Sequence, residues 1–141
     1  MILCDVNVLL CAYREDALDH SRHREWLMDT IHGPAPYGVS PQVLSSVLRI
    51  ATNPRVFARP ASQAEALAFC RMLLERPGAH VVAPGERHWS VFEDLCRRSG
   101  ATGNLVPDAW FAALAIESGC EWITVDRDYA RFPGLRWRTP F

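Results

Sequence analysis

The chain has 141 residues, 49% apolar and 22% charged, with a formal net charge of −1. That length suits one domain over residues 1–141, and no apolar run approaches the roughly 20 residues that cross a bilayer. All 15 residues in the Lys+Arg count are arginine. Without lysine there is no Walker A phosphate loop, no Schiff-base catalysis and no kinase-type phosphate clamp, and the lysine that response regulators place beside their aspartates is missing too. The five cysteines, Cys4, Cys11, Cys70, Cys96 and Cys120, have no C-x-x-C spacing and lie mostly in apolar segments. They are expected to be reduced core residues of an intracellular, cytoplasmic protein.

In chain order, MILCDVNVLL carries an early aspartate and no basic stretch, so it reads as a strand over Met1–Val6 rather than a signal peptide. Asn7 is expected to cap a helix over Val8–Tyr13, and Ala17–Ile31 to form a second, amphipathic helix ended by Gly33-Pro34. Ala35–Ser40 is a strand candidate, after which Pro41 opens a helix over Gln42–Ala51 that Asn53-Pro54 ends. Ser62 and Glu65 form a capping-box pattern for a helix over Gln63–Glu75. A strand at His80–Ala83, helices over Glu86–Ser99 and Asn104–Ser118, and strands at Glu121–Val125 and Leu135–Trp137 complete the chain. Strands alternating with helices predict an α/β fold: a central parallel sheet of four to five strands with helices on both faces.

In such a sheet, ligands gather beyond the C-terminal strand ends. Asp5 ends the first strand and Asp126 the strand Glu121–Val125, with Asp128 two residues on. Asp108 opens a helix that runs back antiparallel to its strand, which places it at the same edge. Each acid alone is ordinarily a turn or helix-start residue. Together they repel unless a cation or protons neutralise them. Hard oxygen ligands with no Cys/His set at a recognisable spacing select Mg²⁺ or Mn²⁺, which would bind phosphate oxygens and activate water.

Four blocks carry a family resemblance: MILCDVNVLL, VLRIATNPRVF (Val47–Phe57), GNLVPDAWFAALAIESG (Gly103–Gly119) and ITVDRDYARFPGLRW (Ile123–Trp137). In this order they resemble PIN-domain proteins and, more narrowly, VapC toxins of VapBC toxin–antitoxin pairs. The resemblance implies a three-layer PIN-like fold and an Mg²⁺- or Mn²⁺-dependent endoribonuclease leaving a 5′-phosphate and a 3′-hydroxyl. It also implies a cognate VapB-type antitoxin and a homodimer. By motif position it assigns the metal to Asp5, Asp108 and Asp126, with Asp128 beside them and Asn7 and Thr124 as polar residues that orient the carboxylates. One element departs: Ser46 stands where many PIN nucleases carry a third-helix glutamate, and no acid lies between Asp29 and Glu65. Glu93 or Glu117 is a candidate to approach the site in its place.

Charge is uneven, at −3 over residues 1–33, +3 over 34–80 and −1 over 81–141. Arg49, Arg55 and Arg59 in the basic section are candidates for RNA phosphate contacts, with tRNA or rRNA as the substrate class. His20 and His23 lack a third metal ligand at a recognisable spacing, His88 lacks a partner that would make it a general base, and the five tryptophans read as dispersed packing residues. The apolar residues of Ala17–Ile31 and Gln42–Ala51 are candidates for a groove that receives an antitoxin helix. Two alternatives remain. A PIN domain that binds RNA or antitoxin without cutting would suit Ser46. A phosphohydrolase with a D-x-D nucleophile is opposed by Asn7.

Overall fold

Five short strands form one parallel sheet in the computed structural model, which describes all 141 residues. They are β1 (Ile2–Cys4), β2 (Tyr37–Val39), β3 (Ala79–Val81), β4 (Glu121–Ile123) and β5 (Trp137–Arg138), in the order β3-β2-β1-β4-β5. Every pairing is parallel. The helices are α1 (Val6–Tyr13), α2 (His20–His32), α3 (Pro41–Ala51), α4 (Gln63–Leu74), α5 (His88–Ser99) and α6 (Leu105–Ser118), with a 3-10 turn at Arg127–Arg131. The expected α/β architecture, a parallel sheet with helices packed on both faces, is present.

Strand alternation separates the two helical layers. Ile2 pairs with Tyr37 and Leu3 with Trp122, so Tyr37 and Trp122 leave the sheet on opposite faces. On one face the Tyr37 hydroxyl donates to the Leu73 carbonyl of α4 at 2.8 Å. On the other, Trp122 stacks on Phe111 of α6 with centroids 5.7 Å apart. Gly38 keeps β2 close to its neighbours, since a Cβ there would stand only 3.1 Å from the Ile2 carbonyl oxygen and 3.0 Å from Val82 Cγ2.

Several boundaries differ from expectation for local reasons. Asp5, not Asn7, caps α1: its Oδ1 accepts from Val6 N at 2.7 Å. The second helix starts at His20 rather than Ala17. Arg14 grips Asp16 through two hydrogen bonds of 2.8 and 2.6 Å and also donates to the Arg59 carbonyl, while Asp19 adopts a left-handed φ of 54° that halts the helix upstream. The fifth begins at His88, because the Glu117 carboxylate accepts from Gly85 N and Arg87 N and holds that segment open. The capping box of Ser62 and Glu65 forms as expected. All five cysteines are free, with Cys4, Cys70 and Cys120 buried. No helix is long and apolar enough to cross a membrane.

Candidate active site

β1 and β4 lie side by side with Cys4 opposite Ile123, so the next residues, Asp5 and Thr124, are neighbours at the C-terminal edge of the sheet. Asp5 is only 6% exposed. Its Oδ2 accepts from Thr124 Oγ1 at 2.6 Å and from Asn7 Nδ2 at 2.8 Å. Thr124 Oγ1 in turn accepts from Asn7 Nδ2 at 3.1 Å and from Asp126 N at 3.0 Å. One buried hydroxyl thereby ties the carboxylate of Asp5 to the backbone of Asp126. Asn7 sits inside α1 and orients Asp5 instead of capping the helix.

Asp108 reaches the same edge from the first turn of α6. Tyr129, 1% exposed, donates its hydroxyl to Asp108 Oδ1 at 3.4 Å. This tyrosine is the residue that sequence reasoning missed; its only signal was the aromatic position just after Asp126 and Asp128. Asp128 lies further out. Its backbone N donates to Asp126 Oδ1 at 2.8 Å, and its exposed carboxylate stands 3.6 Å from Arg131.

The electrostatics record how these acids converge. Burial pushes Asp5 up to about 6 against the lowering effect of its bonds from Thr124 and Val6, and the charges of Asp108 and Asp126 push in the same direction as burial. Asp108 is likewise raised, first by burial and then by the charges of Asp126 and Asp128. The Tyr129 hydroxyl is held far above its ordinary range by burial together with the charges of Asp5, Asp108 and Asp126. Each of these groups is moved by carboxylates from other elements, the expected signature of a shared anionic pocket.

The donor set is all hard oxygen. The nearest thiol, Cys4, is pushed up to about 12 by burial and stays protonated. That chemistry fits Mg²⁺ or Mn²⁺. No three Asp, Glu, His or Cys side chains close into a ready-made ligand cage as they stand, and both Asp5 oxygens already accept hydrogen bonds.

The other candidates fall elsewhere. Glu93 pairs with Arg97 at 2.9 Å on the exposed side of α5, and Glu117 is committed to the backbone of Gly85 and Arg87, so neither replaces the missing acid of α3. Ser46 is half-buried in α3. Arg49, Arg55 and Arg59 are exposed and form no ion pairs. His88 is buried with Nε2 3.0 Å from the Trp110 carbonyl, a packing role. Contrary to expectation, two tryptophans do gather: Trp89, Phe92 and Trp110 form a chain with centroids 5.4 and 5.3 Å apart.

Of the two helices expected to line a partner groove, α3 does not, because its Val43, Leu44, Val47 and Ala51 are buried in the core, whereas α2 contributes Arg24 and Met28. An open groove of about 820 Å³ lies instead between the α1–α2 region and α4, bordered by Tyr13, Arg14, Arg24, Met28, Phe69 and Met72.

The PIN domain family model matches residues 2–135. The chain is 41% identical to "VapC ribonuclease Mb2897" of Mycobacterium bovis over 140 residues, covering 99% of this chain and 95% of that protein. It is 39% identical to "Ribonuclease VapC31" of Mycobacterium tuberculosis, with 99% of each chain covered. Among solved structures, VapBC2 of Rickettsia felis bound to a promoter DNA fragment superposes with a TM-score of 0.69 at 16% identity, covering 99% of this chain and 98% of that one. VapC20 of Mycobacterium tuberculosis, described as a sarcin-ricin-loop-cleaving toxin, superposes with a TM-score of 0.66 at 17% identity, covering 96% and 99%. The chain belongs to the PIN-domain family, within its VapC ribonuclease branch.

Proposed function

We propose that this chain is the toxin of a toxin–antitoxin pair, an Mg²⁺- or Mn²⁺-dependent endoribonuclease that hydrolyses RNA phosphodiester bonds. The observation that carries this reading is the convergence of Asp5, Asp108 and Asp126 on one sheet edge from β1, α6 and the turn after β4, where Thr124 Oγ1 bonds both the Asp5 carboxylate and Asp126 N, and burial with neighbouring carboxylates raises Asp5 and Asp108. Relatives named as VapC ribonucleases over nearly the whole chain support the activity.

Asp5, Asp108 and Asp126 would hold the cation, directly or through water, with Asp128 adding negative charge at the rim. When bound, such an ion lowers the pKa of water and stabilises charge on the phosphoryl oxygens. The chain's own work is orientation. Thr124 and Asn7 fix the rotamer of Asp5, and Tyr129 steadies Asp108. Arg49, Arg55 and Arg59 are free to contact RNA phosphates, with tRNA or rRNA as substrate and a 5′-phosphate and a 3′-hydroxyl as the new ends.

The groove beside α4, with Met28, Phe69 and Met72 as its apolar part and a rim of both charge signs (Arg14, Arg24 and Arg59 with Glu15, Asp16 and Glu65), suits an amphipathic antitoxin helix. Solved relatives described as toxin–antitoxin complexes support a VapB-type partner. A cytoplasmic homodimer completes the reading. A version that binds without cutting, which Ser46 would suit, has less support, since relatives 36–41% identical are named ribonucleases. The test is incubation of pooled tRNA and rRNA with Mg²⁺, Mn²⁺ or EDTA. Discrete metal-dependent fragments are expected, and intact RNA under all three conditions would contradict the reading for those substrates.

A further inference from the structure

The helices fall into two layers on either side of the sheet, with α3 packed against α1 and α4, and α6 against α5. A single hydrogen bond between helix side chains joins the layers: Trp110 Nε1 of α6 donates to Oε1 of Gln42 in the first turn of α3. Gln42 stands three residues past the end of β2, and Trp110 two residues past Asp108. The bond therefore crosses the C-terminal edge of the sheet, where the acids gather.

Trp110 is held in place on its other sides. Its ring meets buried His88 edge-on with centroids 4.1 Å apart and Phe92 at 5.3 Å, and its carbonyl oxygen lies 3.0 Å from His88 Nε2. The indole is thus packed by α5, and its one donor reaches α3. Residues two apart on a helix project about 200° from each other, so Asp108 and Trp110 leave nearly opposite sides of α6. Tyr129, in the turn after β4, holds the Asp108 side, and Gln42, just after β2, holds the Trp110 side. β2 and β4 are the two neighbours of β1, whose end carries Asp5. The start of α6 is gripped from both flanks of that strand.

We propose that Gln42 is a positioning residue of the acidic site: by holding Trp110 it fixes the height and rotation of α6, and with them the placement of the Asp108 carboxylate relative to Asp5. This role rests on the metal-dependent reading above. It gives α3, which carries Ser46 and no acid, a part in shaping the site.

The test is Mn²⁺ binding to the full chain, read by calorimetry, for wild type, Gln42→Ala, Trp110→Phe, the double variant and Asp5→Asn. Trp110→Phe keeps an aromatic ring against His88 and Phe92 and removes the donor. Losing a direct outer-shell partner weakens metal affinity by about 10–100-fold, and each single variant, acting through one more residue, is expected to lose about fivefold. The double variant is expected to lose no more than either alone, because both changes remove the same bond. Gln42→Glu keeps an acceptor for the indole and is expected to bind at least as tightly as wild type. In EDTA every Gln42 and Trp110 variant is expected to melt within about 5 °C of wild type, the scale of one hydrogen bond. Unchanged Mn²⁺ affinity in Gln42→Ala, with binding lost in Asp5→Asn, would make the bond a packing contact and overturn the role of Gln42 alone. Losses that add in the double variant would overturn it too. A wild-type chain that binds no Mn²⁺ would overturn the metal-dependent reading and the role of Gln42 with it.

Discussion

Thr124 and Asp5, 119 positions apart in sequence, share a 2.6 Å hydrogen bond in which the threonine hydroxyl donates to the carboxylate. The same oxygen accepts from Asp126 N at 3.0 Å, so it joins β1, β4 and the turn that follows β4 at one point. Thr124→Val keeps the shape and removes this junction. Cleavage is expected to fall by about 10–100-fold, the usual cost of losing an outer-shell partner, and stability by about 1–3 kcal/mol. Thr124→Ser restores most of both. Steady-state cleavage and thermal melting of the two variants check this.

Asp5 carries a pH signature. Its pKa of about 6, against an ordinary 3.8, means that the folded chain binds the proton more tightly than the unfolded one. The charged form therefore costs stability above about pH 6, and the cost fades as the pH falls toward 4. The gap corresponds to at most ~3 kcal/mol. Asp5→Asn relieves it but sets an amide against the Asn7 donor, which leaves a net gain of about 1–2 kcal/mol. Melting in EDTA is expected to show the variant more stable near pH 7.5 and not near pH 4. Metal binding by wild type is expected to weaken about tenfold per pH unit below about pH 6, because the proton must leave first.

Tyr129 acts on Asp108 from beneath. Tyr129→Phe keeps the buried ring, which packs between Trp122 and Phe132, and removes the 3.4 Å hydroxyl contact. The fold is expected to lose no more than about 1 kcal/mol. The Mn²⁺ concentration needed for half-maximal cleavage is expected to rise about tenfold, since Asp108 loses its orienting donor. An unchanged Mn²⁺ requirement would remove Tyr129 from the site.

Glu117 provides the contrast. Its carboxylate bonds Gly85 N at 2.8 Å and Arg87 N at 2.9 Å, near the far end of α6 from Asp108. Glu117→Ala is expected to lower stability by about 1 kcal/mol through the loss of two exposed hydrogen bonds to a carboxylate while leaving Mn²⁺ affinity unchanged. Chemical denaturation and metal titration of this variant separate the stability of the α5 entry from the chemistry of the pocket.

The alternation of apolar strands with helices was enough to read the parallel sheet, and the strand-end positions of Asp5 and Asp126 were enough to place them at one edge. Local chemistry was legible where it is encoded within a few residues, as in the Ser62–Glu65 capping box. What was not legible depends on contacts distant in sequence. Asn7 was expected to cap α1, but a bond to Asp5 and another to Thr124 recruit its amide, and only the pairing of β1 with β4 brings Thr124 there. The late start of α2 follows from Arg14 reaching both Asp16 and the Arg59 carbonyl. Tyr129 offered only its aromatic position just after Asp126 and Asp128, because a tyrosine in a turn is ordinary until its burial against Asp108 is known.

The central claim is that Asp5, Asp108 and Asp126 together hold the cation that RNA cleavage requires. The most direct measurement is Mn²⁺-dependent cleavage of end-labelled tRNA and rRNA by wild type, Asp5→Asn, Asp108→Asn and Asp126→Asn, each first confirmed as folded by melting. The account predicts discrete fragments from wild type, none in EDTA, and losses in each variant of at least about 100-fold in rate. Cleavage that survives EDTA, or that persists undiminished in folded Asp5→Asn and Asp108→Asn, would contradict it.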